Sequence, residues 1–222
     1  MAMKGRVVLI TGGAGALGQT VVPAFVSAGA SVIVGDVKPV QLSGVNWLKA
    51  DFTDQTQVRG LVNEVIHRFG RLDALINLIG GFALGRAVDT DISLWQRMLG
   101  MNLTSAFLLS QAVLPSMLER RQGRIVHIAA RAAVEPFPGA AAYIVSKAGL
   151  VALIRTLSKE LDDSGVTVNA LLPGTIDTPA NREAMPDADP SKWTRRESIA
   201  DTLTFLVSDD AAQINGALVP IG

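Results

Sequence analysis

No cysteine occurs anywhere in the 222 residues. That removes disulfides and thiolate metal sites at once, and leaves the cellular compartment unreadable from redox chemistry. Histidine is nearly as scarce. His67 and His127 stand far apart and lack ligand spacing, so they read as a surface histidine and a strand-end histidine, and no metal is expected. Charge of one sign is also missing. Twenty Lys and Arg balance twenty Asp and Glu, which leaves no basic footprint for nucleic acid or an anionic membrane. No apolar run approaches the length of a membrane span, and the chain enters a strand pattern with no signal peptide, so a cytoplasmic protein is expected.

What is present suits one well-packed domain over residues 1–222, at 49% hydrophobic and 18% charged residues. Short apolar runs at 7–10, 31–34, 72–77, 124–128, 166–172 and 217–221 read as buried strands, with 46–49 a shorter candidate. Amphipathic stretches lie between most of them, at about 15–28, 54–69, 92–120 with a break near Gly100, 140–163 and 195–208. Such alternation implies right-handed crossovers: an α/β doubly wound Rossmann domain, its seven-stranded parallel sheet covered by helices on both faces. The polar, proline-bearing stretch at about 180–194 reads as a lid beside the site.

The first strand runs into Thr11-Gly12-Gly13-Ala14-Gly15-Ala16-Leu17-Gly18 just before a helix. Glycines there give a phosphate-bearing ligand a tight turn, close backbone approach and a helix N-terminus aimed at negative charge. The second strand ends at Asp36, where a carboxylate can accept both hydroxyls of an adenosine ribose and would repel a 2′-phosphate. No arginine or lysine lies in the glycine loop or directly after Asp36, so NAD(H) is favoured; Lys38 keeps NADP(H) open. Further on, Tyr143 and Lys147 stand four apart, on one face of a helix. A cation there favours phenolate, so Lys147 is expected to lower the Tyr143 pKa towards the working range of a general acid.

In this order and spacing the motifs resemble the short-chain dehydrogenase/reductase family over almost the whole chain. Thr11, Gly12 and Gly18 match its glycine motif, with Ala16 where a middle glycine is usual and Ala14 and Leu17 between. Asp51-Phe52 resembles its adenine-contacting pair, and Asn77-Leu78-Ile79-Gly80 keeps the first and last residues of its Asn-Asn-Ala-Gly. Asn102 fits the family's helix asparagine that holds a water in a proton relay. Pro173-Gly174-x-Ile176-x-Thr178 resembles the loop that grips the nicotinamide carboxamide. The resemblance implies a catalytic set of Tyr143, Lys147 and Asn102, with Lys147 also holding the nicotinamide ribose. It also implies a homodimer or homotetramer pairing the helices near 101–120 and 140–163.

One departure stands out: the family's catalytic serine, thirteen residues before the tyrosine, is here Ala130. One such donor is worth about 3 to 4 kcal/mol of transition-state stabilisation. The 176–194 segment, Gly80-Gly81-Phe82 and the alanine at 130 together resemble dihydropteridine reductases, a branch of the same family. A quinonoid dihydropterin is an electron-poor conjugated imine that takes hydride without carbonyl polarisation. Phe82, Met185 and Trp193 either contact substrate or pack the lid against the core. Arg131 either donates to substrate or makes a structural pair, and His127 has no catalytic role. Three functions follow: an NADH-dependent reductase of a small organic acceptor, its pterin-specific form, or a catalytically weak NAD-binding sensor or scaffold protein.

Overall fold

The computed structural model describes residues 3–222; residues 1 and 2 of the expected domain lie outside the described residues. Seven parallel strands form one sheet in the order β3-β2-β1-β4-β5-β6-β7. They are β1 (Val7–Thr11), β2 (Ser31–Asp36), β3 (Val45–Lys49), β4 (Ala74–Asn77), β5 (Gly123–Ile128), β6 (Val166–Pro173) and β7 (Leu218–Ile221). The order reverses between β1 and β4, which pair Thr11 with Asn77 in register. Open α/β sheets place their ligand cleft outside such a switch point.

Alternate residues on each strand feed two separate cores, as a two-residue side-chain period requires. Leu9, Ile33, Leu75, Ile125 and Val168 face one layer, built on α2 (Gln55–Phe69), α4 (Ser105–Glu119) and α5 (Ala141–Glu160). Val8, Ile10, Val34, Ile76, Val126 and Leu171 face the other, built on α1 (Gly18–Ser27) and α7 (Arg196–Leu206). Both layers are mainly apolar, so burial on the order of 25 cal/mol per Å² acts on either face and pins the register.

Local chemistry sets the helix ends. Asp54 accepts from the Thr56 and Gln57 amides to start α2, and Gly70 closes it in the left-handed region at φ 71°. Asp91 accepts from the Leu94 amide to start α3 (Ile92–Leu99).

Two expectations need correction. The break near Gly100 is a π-turn over Gly100–Thr104 that joins α3 to α4 without interruption. A glycine loosens the backbone enough for one wide turn but does not end a helix whose apolar face continues. The resulting run Ile92–Glu119, like α5, is long and apolar enough to cross a membrane; in the fold Leu109, Val113, Leu150 and Ile154 of these helices sit in the core. The stretch at 180–194 also has structure of its own. It holds α6 (Pro179–Ala184), whose Thr178 hydroxyl accepts from the Asn181 amide, and a short 3-10 turn over Pro190–Lys192.

Candidate active site

At the switch point a cleft of about 440 Å³ opens along the carboxyl ends of the strands. Of the residues expected to bind a cofactor, Gly12, Ala14, Asp36, Asp51, Phe52 and Gly80 line it. Gly12 takes φ +77°, a conformation that favours glycine, and its Cα faces the backbone of Leu78 and Ile79 so closely that a side chain would not fit. A Cβ on Gly18 would overlap the Gly13 carbonyl, so α1 can begin only with a glycine there. Ala16 and Leu17 lead into that helix, and no side chain caps its amino end, which leaves it facing outward for an anion.

Asp36 is held in place before any ligand arrives. Its two oxygens accept the Ala14 and Lys38 amides, each at 2.9 Å. Carboxylate oxygens have lone pairs beyond those two bonds, so ribose hydroxyls can still be accepted. Asp51 Oδ1 takes both the amide (2.9 Å) and the hydroxyl (2.7 Å) of Thr53. Phe52 reaches the cleft while its ring is buried against Gly35 in the core. These features fit a dinucleotide: a helix end for the pyrophosphate, a fixed carboxylate for the ribose, and a backbone floor at 78–80.

That floor leads to α5. A Cβ on Gly80 would lie 2.8 Å from Asn102 Oδ1 and 3.1 Å from Lys147 Nζ, so the loop after β4 packs closely against both. Lys147 is buried and donates from Nζ to the Ile128 carbonyl at 2.7 Å. Burial alone lowers its pKa to about 8. Tyr143, one turn earlier on α5, meets Phe82 edge to face with ring centroids 4.9 Å apart. The expected lowering of the Tyr143 pKa is overturned: burial raises it to about 12. The four-residue spacing puts phenol and ammonium on one face, but the ammonium is anchored to the end of β5 and desolvation dominates the phenol.

Asn102 lies in the π-turn, buried, with its amide fully engaged. Oδ1 accepts the Gly81 amide (2.9 Å), and Nδ2 donates to the Gly81 carbonyl (3.0 Å) and to Ser146 Oγ (2.9 Å). Ser146 passes its own proton to the Tyr143 carbonyl at 2.7 Å. Asn102 thus faces Gly81 from within the π-turn, and turns of that kind are frequent at functional sites.

The expected substrate residues are less concentrated. Ala130 is buried at the end of β5, one residue before the 3-10 turn Arg131–Ala133. Arg131 Nη2 donates to the Gly222 carbonyl. Pro173 ends β6, and Gly174 packs beside the Arg131 guanidinium. Ile176 bridges to Thr194, and Thr178 caps α6. Met185 and Trp193 end the two short helices of this segment, and neither lines the 440 Å³ cleft. Gly15, Lys38, Leu78 and Ile79 of the quoted motifs line it too, whereas Val37, Thr53, Met101 and Ser105 do so without having been expected; their chain neighbours in the motifs were the available signal.

His127 lies next to the end of β5, as expected of a strand-end histidine. It is completely buried, with Asn77 Nδ2 at 3.1 Å from Nδ1 and Ser110 Oγ at 3.0 Å from Nε2. Burial, then the Lys147 charge, lower its pKa to about 3. Among the described residues no cluster of His, Asp or Glu could hold a metal.

The short chain dehydrogenase family model matches residues 6–189. The 3-oxoacyl-[acyl-carrier-protein] reductase FabG of Thermotoga maritima is 30% identical, the match covering 100% of this chain and 98% of that protein. The (2S)-[(R)-hydroxy(phenyl)methyl]succinyl-CoA dehydrogenase subunit BbsD of Thauera aromatica is 33% identical over 99% of this chain and 96% of its own. A short-chain dehydrogenase/reductase structure from Serratia marcescens superposes with a TM-score of 0.89 at 30% identity, covering 100% and 98% of the two chains. The chain belongs to the short-chain dehydrogenase/reductase family of NAD(P)-dependent oxidoreductases.

Proposed function

We propose that the protein is an NADH-dependent oxidoreductase that reduces a small organic acceptor with Tyr143 as the proton donor. The observation that carries this reading is the contact of Gly80 with both Asn102 and Lys147, because it joins the floor of the dinucleotide cleft to the helix that bears Tyr143. When bound, the nicotinamide supplies a hydride.

The chain's own residues do the rest. Gly12, Gly18 and the open end of α1 would take the pyrophosphate. Asp36 would accept the ribose hydroxyls, and its charge disfavours a 2′-phosphate, which supports NADH over NADPH. Lys147, a buried cation, would hold the nicotinamide ribose and stabilise negative charge developing on Tyr143 as its proton leaves. Asn102 clamps Gly81 and, through Ser146, the turn of α5 that carries Tyr143. The Tyr143 hydroxyl then gives its proton to the acceptor.

Ala130 narrows the acceptor. Without a hydroxyl there, a carbonyl whose reduction gathers charge on one oxygen loses a donor worth about 3 to 4 kcal/mol. A conjugated acceptor, in which charge spreads over a ring, loses less. The quinonoid dihydropterin reading is favoured by this position and by the exposed face of Phe82 beside Tyr143. A homodimer or homotetramer through α4 and α5 is supported by Phe107 and Val145, apolar yet exposed on those helices.

Fluorescence titration with NADH and NADPH, followed by NADH oxidation against a quinonoid dihydropterin, an activated quinone and a simple diketone, tests the reading. NADH binding at least about tenfold tighter than NADPH, with turnover of one acceptor, is expected; about 1.4 kcal/mol separates the two at that ratio. Tighter NADPH binding would overturn the cofactor preference, and tight NADH binding with no turnover on any acceptor would favour a sensor.

A further inference from the structure

Four buried polar side chains run in a line from β1 to α4 beneath the cleft. Thr11 Oγ1 donates to Asn77 Oδ1 at 2.9 Å; Asn77 Nδ2 contacts His127 Nδ1 at 3.1 Å; His127 Nε2 contacts Ser110 Oγ at 3.0 Å; Ser110 Oγ donates to the Ala106 carbonyl at 2.8 Å. All four side chains are at most 2% exposed. One proton arrangement satisfies every contact. The single Ser110 proton goes to Ala106, so Ser110 must accept from His127 Nε2–H, and His127 Nδ1 is left with a lone pair that accepts from Asn77 Nδ2. The amide of Asn77 is thereby fixed with its oxygen towards the cleft side.

That oxygen also accepts the Ile79 amide at 3.0 Å. Ile79, with Leu78 and Gly80, lines the cleft, and its backbone nitrogen lies only 3.0 Å from where a Cβ on Gly12 would be. The floor and the glycine turn therefore have no slack between them. Were the Asn77 amide to flip, its NH2 would face the Ile79 N–H, two donors opposed beside a buried side chain.

We propose that His127 is a positioning residue for the cofactor: its Nδ1 lone pair orients the Asn77 amide and so holds the 78–80 floor against the glycine turn. It touches neither cofactor nor acceptor and acts through Asn77 alone. The inference rests on the reading of the 440 Å³ cleft as the dinucleotide site. Histidine suits the task because it bridges two elements with one acceptor and one donor. It stays in that neutral form, since burial and the nearby Lys147 charge both oppose a second proton.

Two variants separate positioning from packing. His127→Asn keeps an acceptor in the place of Nδ1 and loses the Ser110 contact; His127→Leu loses both. Thermal stability falls in each. NADH affinity, read by fluorescence titration, is expected to stay within about twofold of wild type in His127→Asn and to weaken roughly fivefold or more in His127→Leu, the loss typical of one buried hydrogen bond. The turnover number at saturating NADH should change little in either.

Amide hydrogen exchange at Ile79 gives a readout without cofactor: faster in His127→Leu, unchanged in His127→Asn. Should His127→Leu fail to fold, His127→Gln, whose amide lies beyond the Nδ1 position, takes its place with the same expectation. Equal NADH affinities in the two variants, or Ile79 exchange unaffected by His127→Leu, would overturn the proposal. A wild-type protein that binds neither NADH nor NADPH would instead overturn the cofactor reading, and the Ile79 exchange would still decide the role of His127.

Discussion

The Phe82 and Tyr143 rings meet edge to face, their centroids 4.9 Å apart and their planes at 81°. Tyr143 is the chain's one tyrosine, so phenolate absorbance reports it without interference. Burial raises its pKa to about 12, and alkaline titration of the ligand-free protein should show no phenolate until close to that value. Phe82→Ala admits water to one side of the phenol and should move the midpoint down towards about 10. A wild-type midpoint already near 10 would contradict the burial argument.

Lys147 should give activity and stability opposite slopes with pH. Its folded pKa of about 8 lies below the ordinary 10.5. Between those values the unfolded chain binds more protons than the native one, so stability rises with pH across that window. Over the lower part of the same window Lys147 loses the charge that supports proton donation by Tyr143, so the turnover number should fall as pH rises through about 8. Parallel rate and thermal-unfolding profiles check both signs. Rates that stay level through about pH 9 would show that the Lys147 charge is not required.

His127 sets the acid limit. Its folded pKa of about 3 lies below the unfolded 6.5, so the unfolded chain binds the extra proton first as pH falls. The contribution is intact above about 6.5 and is lost on the way down towards about 3, by roughly 1.4 kcal/mol per pH unit. Urea unfolding at about pH 7 and about pH 5 should show a slope in the wild type that is smaller by one proton in His127→Asn. Identical slopes would place the acid sensitivity elsewhere.

Ala130→Ser restores a hydroxyl at the end of β5. Ketone or diketone turnover should rise by about tenfold or more, within the hundredfold to thousandfold that one such donor is worth. Turnover of a conjugated imine should change by less than about threefold, because its transition state places little charge where that hydroxyl would point. Steady-state rates on paired acceptors check this. A uniform gain on both would mean that position 130 does not select the acceptor.

The strands and long helices were legible because each carries its own signal. Apolar runs bounded by turns gave all seven strands, and Asp54 and Gly70 punctuate α2 where the period begins and stops. Asp36 was read from the end of a strand and Tyr143 with Lys147 from their four-residue spacing, while Gly80 and Asn102 came from the family resemblance. What spacing could not supply was the partner of each polar atom. Lys147 lies one helical turn from Tyr143 in sequence, yet its ammonium is taken by the Ile128 carbonyl of β5. His127 looked inert because its partners, Asn77 and Ser110, come from a strand and a helix elsewhere in the chain. The π-turn at Gly100 has no signal of its own beyond the glycine, whereas α6 had one that went unread, Thr178 as cap followed by Pro179 in the first turn.

The most direct measurement compares wild type with Tyr143→Phe in NADH oxidation against quinonoid dihydropterin, an activated quinone and a diketone, with NADH affinity measured on both proteins. Turnover in wild type that drops at least about a hundredfold in Tyr143→Phe, the scale of general acid catalysis, with NADH affinity nearly unchanged, is the expected result. Equal rates for the two proteins would contradict the assignment of Tyr143 as the proton donor.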